Sequence, residues 1–287
     1  MRPSWPALAL LVNAFTWGVS WWPFRQLEAA GLHPLWATAL VYAVAVVAIT
    51  LVRPVAWKHL FTMPVLWVLV LASGTTNATF NWAVTIGDVV RVVLLFYLMP
   101  LWAVLLARLL LKEPITGTAM LRVALALVGA AVVLWPAGGA GLPLPTTLAD
   151  WLGLVGGFSF ALNNVMLRRE AARPESARAL AMFLGGALVA LVLAVSLSAQ
   201  GTVPLPPAPS TGWVAGALAL AAAFLVGNLA LQYGASRLPA NVTAVVMITE
   251  VLFASGSAVL LGAGSLTPAL WLGGALIVAA SLLAAKG

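Results

Sequence analysis

Few side chains in this sequence are equipped for chemistry, and most of those are amides, aromatic rings or one isolated carboxylate. Asn77 and Asn81 lie four residues apart, as do Asn228 and Gln232, so each pair shares one face of a helix. Amides on such faces either hydrogen-bond to neighbouring helices or line a polar hollow, and two pairs at matching spacing favour the hollow for the set. Asn13, Trp17 and Trp21 recur at the same interval with Ser20 and Phe24 beside them, and Ser159, Phe160, Asn163 and Asn164 form a comparable group. Rings at helical spacing often simply pack. With amides among them, they would hold an apolar or aromatic solute by stacking while the polar groups orient its head. Glu250 stands inside an apolar run with no Lys or Arg near it in sequence. Three roles are open to it: a protonated hydrogen-bonded tie, a contact to a substrate ammonium group, or the carrier of a coupling proton.

Catalytic constellations are missing from this inventory. Without cysteine there is no thiolate nucleophile, disulfide or iron–sulfur ligand, and His33 and His59 fall in loops expected on opposite sides of a membrane. An intramembrane hydrolase or lipid transferase needs a nucleophile and base, paired carboxylates or a metal site. No metal, no cofactor and no enzymatic activity are therefore expected. Glu113 beside Lys112 reads as a helix-end surface or gate group, and Asp88 with Arg91 as a local ion pair.

The elements that must position these residues follow from composition. Of 287 residues, 63% are hydrophobic and 7% charged, with a mean hydropathy of +1.08; soluble domains carry about 25% charged residues. Such a chain belongs in a lipid bilayer. Apolar runs bounded by Pro, Gly and charges give ten spans, at 5–24, 34–52, 62–83, 90–111, 117–135, 150–168, 178–198, 212–233, 240–262 and 268–285. The start, Met1-Arg2-Pro3 before an apolar run, resembles a signal peptide but lacks a small-residue cleavage site, so it reads as the first membrane helix.

Twelve of the 14 Lys and Arg residues fall on one side of these spans, and only Arg25 and Arg91 on the other. Positively charged loops stay cytoplasmic, so both termini are expected inside. Trp36, Trp82, Trp135, Trp151, Trp213 and Trp271 sit near the outer ends, as an interfacial belt would have them. The net charge of +7 is spread too thinly for a nucleic-acid partner.

The sequence also repeats. A shift of 151 lays Asn77, Asn81 and Trp82 on Asn228, Gln232 and Tyr233, and a shift of 143 lays Phe15, Trp17, Ser20 and Arg25 on Phe158, Phe160, Asn163 and Arg168. Residues 1–138 and 145–287 are thus expected to be two copies of a five-helix unit. An odd number of spans sends the second copy in from the opposite side. The expected fold is all-α and integral to the membrane: ten transmembrane helices in two five-helix inverted repeats around a central cavity.

With these spans, the Trp17-Gly18 pair, Pro100-Leu101 and the run Leu111-Lys112-Glu113-Pro114, the chain resembles the drug/metabolite transporter superfamily, in its ten-helix, EamA-type branch. Within it, the central rings and amides are most similar to bacterial aromatic amino-acid exporters. The second half departs from the pattern, with Glu250 or Val251 where a proline would match Pro100 and Gly264-Ser265 in place of Glu-Pro. The resemblance implies a secondary transporter of the bacterial inner membrane that exports amino acids, aromatic or large and apolar, by alternating access, with a small-molecule substrate and the bilayer as its partners and a monomer as its unit. Another small metabolite or drug, or a passive channel or scaffold, are the alternatives. Carried onto this chain, the implied substrate-binding residues are Asn13, Trp17, Trp21, Asn77, Asn81, Tyr97, Phe160, Asn163, Asn228, Gln232 and Glu250.

Overall fold

The computed structural model describes residues 5–112, 114–135, 144–235, 246, 249–265 and 267–284, and among them every regular element is helical. The start of the expected ninth span and Glu113 lie outside the described residues, as does the side chain of Gln232.

The first expected span is two helices, α1 (Trp5–Val19) and α2 (Trp21–Ala29). At the joint the Ser20 hydroxyl donates to the Trp17 carbonyl at 2.8 Å, and Pro23 follows in the first turn of α2, where it brings no N–H. Helix α3 (Pro34–Val52) begins with its proline in the first turn, capped by His33, whose Nδ1 accepts from the Leu35 N–H at 3.2 Å. Short α4 (Val55–Thr62) then turns by 104° into α5 (Leu66–Ile86).

The fourth expected span is also broken, into α6 (Val89–Phe96) and α7 (Met99–Leu106), the latter continued by a π-helical turn over Ala107–Leu111. Pro100, in the first turn of α7, has no N–H for the carbonyl four residues back, that of Phe96. That carbonyl instead packs against Gly157, where an added Cβ would come within 2.4 Å of it. The π turn ends at Lys112, in the left-handed region with φ 58°.

Helices α8 (Gly117–Leu134), α9 (Leu148–Arg169), α10 (Glu175–Ala199), α11 (Thr211–Ala235), α12 (Thr249–Leu260) and α13 (Pro268–Ala284) follow among the described residues. Thr116 caps α8, and Thr147 with Asp150 forms a reciprocal capping box on α9. Among the described residues, four helical stretches are long and apolar enough to cross a membrane: Pro34–Val52, Val89–Leu111, Glu175–Ala199 and Thr211–Leu231. The bent pair of α4 and α5 meets the same test as a unit. The protein is a multi-pass membrane protein.

Packing joins the two halves throughout. Helix α5 lies on α9 and α10, α3 on α10 and α11, α1 on α11 and α12, α6 and α7 on α9, and α8 on α13. Small residues let backbones meet, as helix contacts in lipid require. A Cβ on Gly74 would approach the Gly185 carbonyl to 2.4 Å, and one on Gly129 the Gly273 carbonyl to 2.7 Å.

Candidate functional site

Where α1, α5, α6, α9 and α11 converge, aromatic rings form a continuous cluster. Trp17 stacks on Phe224 with ring centroids 4.7 Å apart and meets Phe80 edge-on at 6.4 Å. Phe80 contacts Phe96 at 4.8 Å, and Phe96 in turn contacts Phe160 at 5.3 Å and Tyr97 at 6.1 Å. From there the Tyr97 hydroxyl reaches across to α12 and donates to Glu250 Oε2 at 3.2 Å. The carboxylate is buried, and α1 passes close by: a Cβ on Gly18 would stand 2.9 Å from the Glu250 carbonyl. Rings and carboxylate are thus contiguous, which suits a solute with an apolar body and a polar head.

Of the residues singled out from sequence, Trp17, Tyr97, Phe160 and Glu250 belong to this cluster. Trp21 is buried beside it and donates its indole N–H to Ser257 on α12 at 2.9 Å, with the Arg25 guanidinium 5.3 Å from its ring. The amides lie differently. Asn77 accepts from the Tyr42 hydroxyl and donates to the Ser73 carbonyl at 2.7 Å. Asn81 donates to Thr38 Oγ1 at 3.1 Å, so both amides of α5 tie it to α3. Asn13 donates to the Gly227 carbonyl at 2.9 Å, which joins α1 to α11. Asn228 donates to the Phe224 carbonyl of its own helix at 2.8 Å. Asn163 is buried on α9 with its Oδ1 unpartnered, as are Asn13 Oδ1 and Asn81 Oδ1.

Sequence reasoning passed over Phe80, Phe96 and Phe224, although two of them carried a signal. Phe224 lies four residues before Asn228, on the same face, and Phe80 three after Asn77. A groove of about 350 Å³ between α1 and α11, lined by Trp5, Leu8, Val12, Val226 and Tyr233, opens on the flank and contains none of the central rings.

A second polar centre lies at the start of α6 and α9. Arg91 pairs not with Asp88, as its position suggests, but with Asp150: Nε to Oδ1 at 2.7 Å and Nη2 to Oδ2 at 3.1 Å. Asp88 instead caps α6 by accepting from the Arg91 N–H at 2.9 Å, and it accepts from the Ser265 N–H at 3.2 Å. Arg25 donates to the carbonyls of Val84 and Gly87 at the end of α5, at 3.2 and 2.6 Å.

Residues 4–135 match the EamA-like transporter family. An uncharacterized transporter of Pseudomonas aeruginosa is 30% identical over 160 residues, 53% of this chain and 51% of that protein, so the chain spans about half the length of the curated relative it matches. A solved crystal structure shares the fold over 97% of this chain and 96% of its own, with a TM-score of 0.60 and 20% identity.

Proposed function

From a membrane chain whose first half matches EamA-like transporters, we propose a secondary transporter that exports small solutes with large apolar or aromatic bodies, amino acids of that kind foremost. It works by alternating access between two inverted repeats, residues 1–138 and 145–287, with ten spans, both termini in the cytoplasm, and a place in the bacterial inner membrane. The substrate is moved and leaves chemically unchanged.

Support for the repeats comes from the packing. Pairing α1 and α2 with α9, α3 with α10, α5 with α11, α6 and α7 with α12, and α8 with α13 gives contacts that come as mates. The contact of α5 with α9 has its counterpart in α11 with α1, that of α5 with α10 in α11 with α3, and that of α6 and α7 with α9 in α12 with α1. A pseudo-twofold axis has this effect, and two such halves can rock about a shared midplane site. The observation that carries the reading is the ring cluster ending in Glu250 at the junction of both halves. In the substrate-binding set, Trp17, Tyr97, Phe160 and Glu250 contact the solute directly. Trp21, Asn13, Asn163 and Asn228 border the path, and Asn77 and Asn81 hold α5 in place behind Phe80.

Exchange of labelled phenylalanine or tryptophan across liposomes containing the purified protein, with and without a pH gradient, tests the function; no flux of any aromatic solute would refute it. Topology is tested apart. Because the chain has no cysteine, each thiol introduced into a loop reports alone, and opposite labelling of the two ends of the chain would refute the orientation.

A further inference from the structure

We infer that the central site grips its solute by an ammonium head on an aromatic or apolar body, so that among such solutes a free carboxylate weakens binding and the amine or ester of an aromatic amino acid binds more tightly than the amino acid itself. This rests on the reading that Trp17, Tyr97, Phe160 and Glu250 face the transported solute. Glu250 is 8% exposed, and the partner of its carboxylate is a tyrosine hydroxyl, which donates a hydrogen bond but no charge. A carboxylate held this deep is costly without a cation. The described cations of the outer half are committed elsewhere: Arg91 to Asp150 and the Val133 carbonyl, and Arg25 to the carbonyls of Val84 and Gly87. Arg169 and Arg173 lie against Glu170, Nε to carboxylate at 3.5 and 3.1 Å.

The amides point the same way. Asn77 commits its NH2 group to Ser73, and Asn13 and Asn81 each commit one N–H, to Gly227 and Thr38, which leaves fewer donors for a substrate carboxylate. Among the described residues the buried amide atoms without partners are oxygens: Oδ1 of Asn13, Asn81 and Asn163. On the donor side stand the Trp102 indole N–H on α7 and, near the start of α10, the Arg178 Nε–H, both buried without a partner. The unpartnered oxygens of Asn13 and Asn163, which border the path in the reading above, suit an ammonium group with its three N–H donors. Aromatic rings add attraction for a cation that meets their faces. A zwitterionic amino acid would return a second carboxylate to a site already short of positive charge.

Calorimetric titration of the purified protein with phenethylamine, phenylalanine methyl ester, phenylalanine and phenylacetate tests this. The amine and the ester are expected to bind at least about tenfold more tightly than phenylalanine, a gap of about 1.4 kcal/mol, with phenylacetate weakest. In Glu250→Gln that preference should fall to within about threefold. Phenylalanine binding as tightly as phenethylamine, or a preference unchanged in Glu250→Gln, overturns the inference. Equal binding of all four by the wild-type protein, lost in Trp17→Ala, would sink the charge selection and leave the ring site standing. No binding by any of the four would remove the site reading and the inference together.

Discussion

Arg91 on α6 and Asp150 on α9, 59 residues apart, form a two-pronged ion pair between the starts of the two helices. It joins more than two helices. Arg91 Nη1 also donates to the Val133 carbonyl near the end of α8 at 2.7 Å, while Asp150 accepts from the Thr146 and Thr147 N–H groups at 3.1 and 3.3 Å. Asp150 is 1% exposed and the Arg91 side chain 27%. Removing one member of a buried pair costs about 3–5 kcal/mol. Solvent at Arg91 screens part of that, so Asp150→Asn should destabilise by about 2 kcal/mol. Arg91→Lys keeps the charge but loses the fork, and should fall between Asp150→Asn and the native protein. Melting temperatures in detergent decide, and an unchanged value for Asp150→Asn would show the pair to be ornamental.

That pair also shows what the sequence leaves unsaid. Asp88 is the near neighbour of Arg91 in sequence, yet helix start chemistry claims its carboxylate for the α6 cap and the Ser265 N–H. A partner across the two halves has no local signature. Helix limits, by contrast, were legible where apolar runs end in prolines or caps: α3 spans 34–52 and α8 117–134, against expectations of 34–52 and 117–135. The breaks at Ser20 and at Tyr97-Leu98 were not, although Pro23 and Pro100 announce trouble nearby, because their positions follow from packing against other helices. For the site, the spacing of Asn77 and Asn81 gave the right common face, but which neighbour that face meets is a tertiary fact.

Glycine positions separate packing from propensity. Gly185 crosses α5 so closely that an added Cβ would lie 2.1 Å from the Val70 carbonyl, whereas one on Gly256 of α12 would meet nothing within 4 Å. Gly185→Ala should cost about 2–3 kcal/mol through forced separation of α5 and α10. Gly256→Ala should gain about 0.5–1 kcal/mol, since a glycine inside a helix only adds entropy to the unfolded chain. Opposite shifts in melting temperature are expected for the two variants, and equal shifts would discount the crossing.

His33 gives the stability a pH dependence at the α3 cap. Its neutral Nδ1 accepts the Leu35 N–H, and burial holds its pKa below the usual 6.5. The unfolded chain therefore takes up a proton at higher pH than the folded one. The sign follows: the cap contributes fully above about pH 6.5, and its contribution is lost as the pH falls from there through the folded-state value. His33→Asn keeps a capping oxygen and should flatten the profile, while His33→Ala should lower stability by about 1 kcal/mol at pH 8. Thermal melts from pH 5 to 8 would reveal it, and parallel profiles for the native protein and His33→Asn would exclude the mechanism.

Asn163 sets stability against function. Its side chain is 3% exposed on α9 with Oδ1 unpartnered, although a phenylalanine of the ring cluster, Phe160, lies only three residues before it. A buried acceptor left unmade costs about 1–3 kcal/mol, so Asn163→Leu, close in volume, should raise the melting temperature. If Asn163 borders the solute path, the same change lowers transport of aromatic solutes by about tenfold or more, because the bound state loses the only partner that oxygen has. Higher stability with undiminished flux would instead class Asn163 as a tolerated defect of helix packing. The two measurements on one variant therefore separate a polar group retained for binding from one that merely happens to be buried.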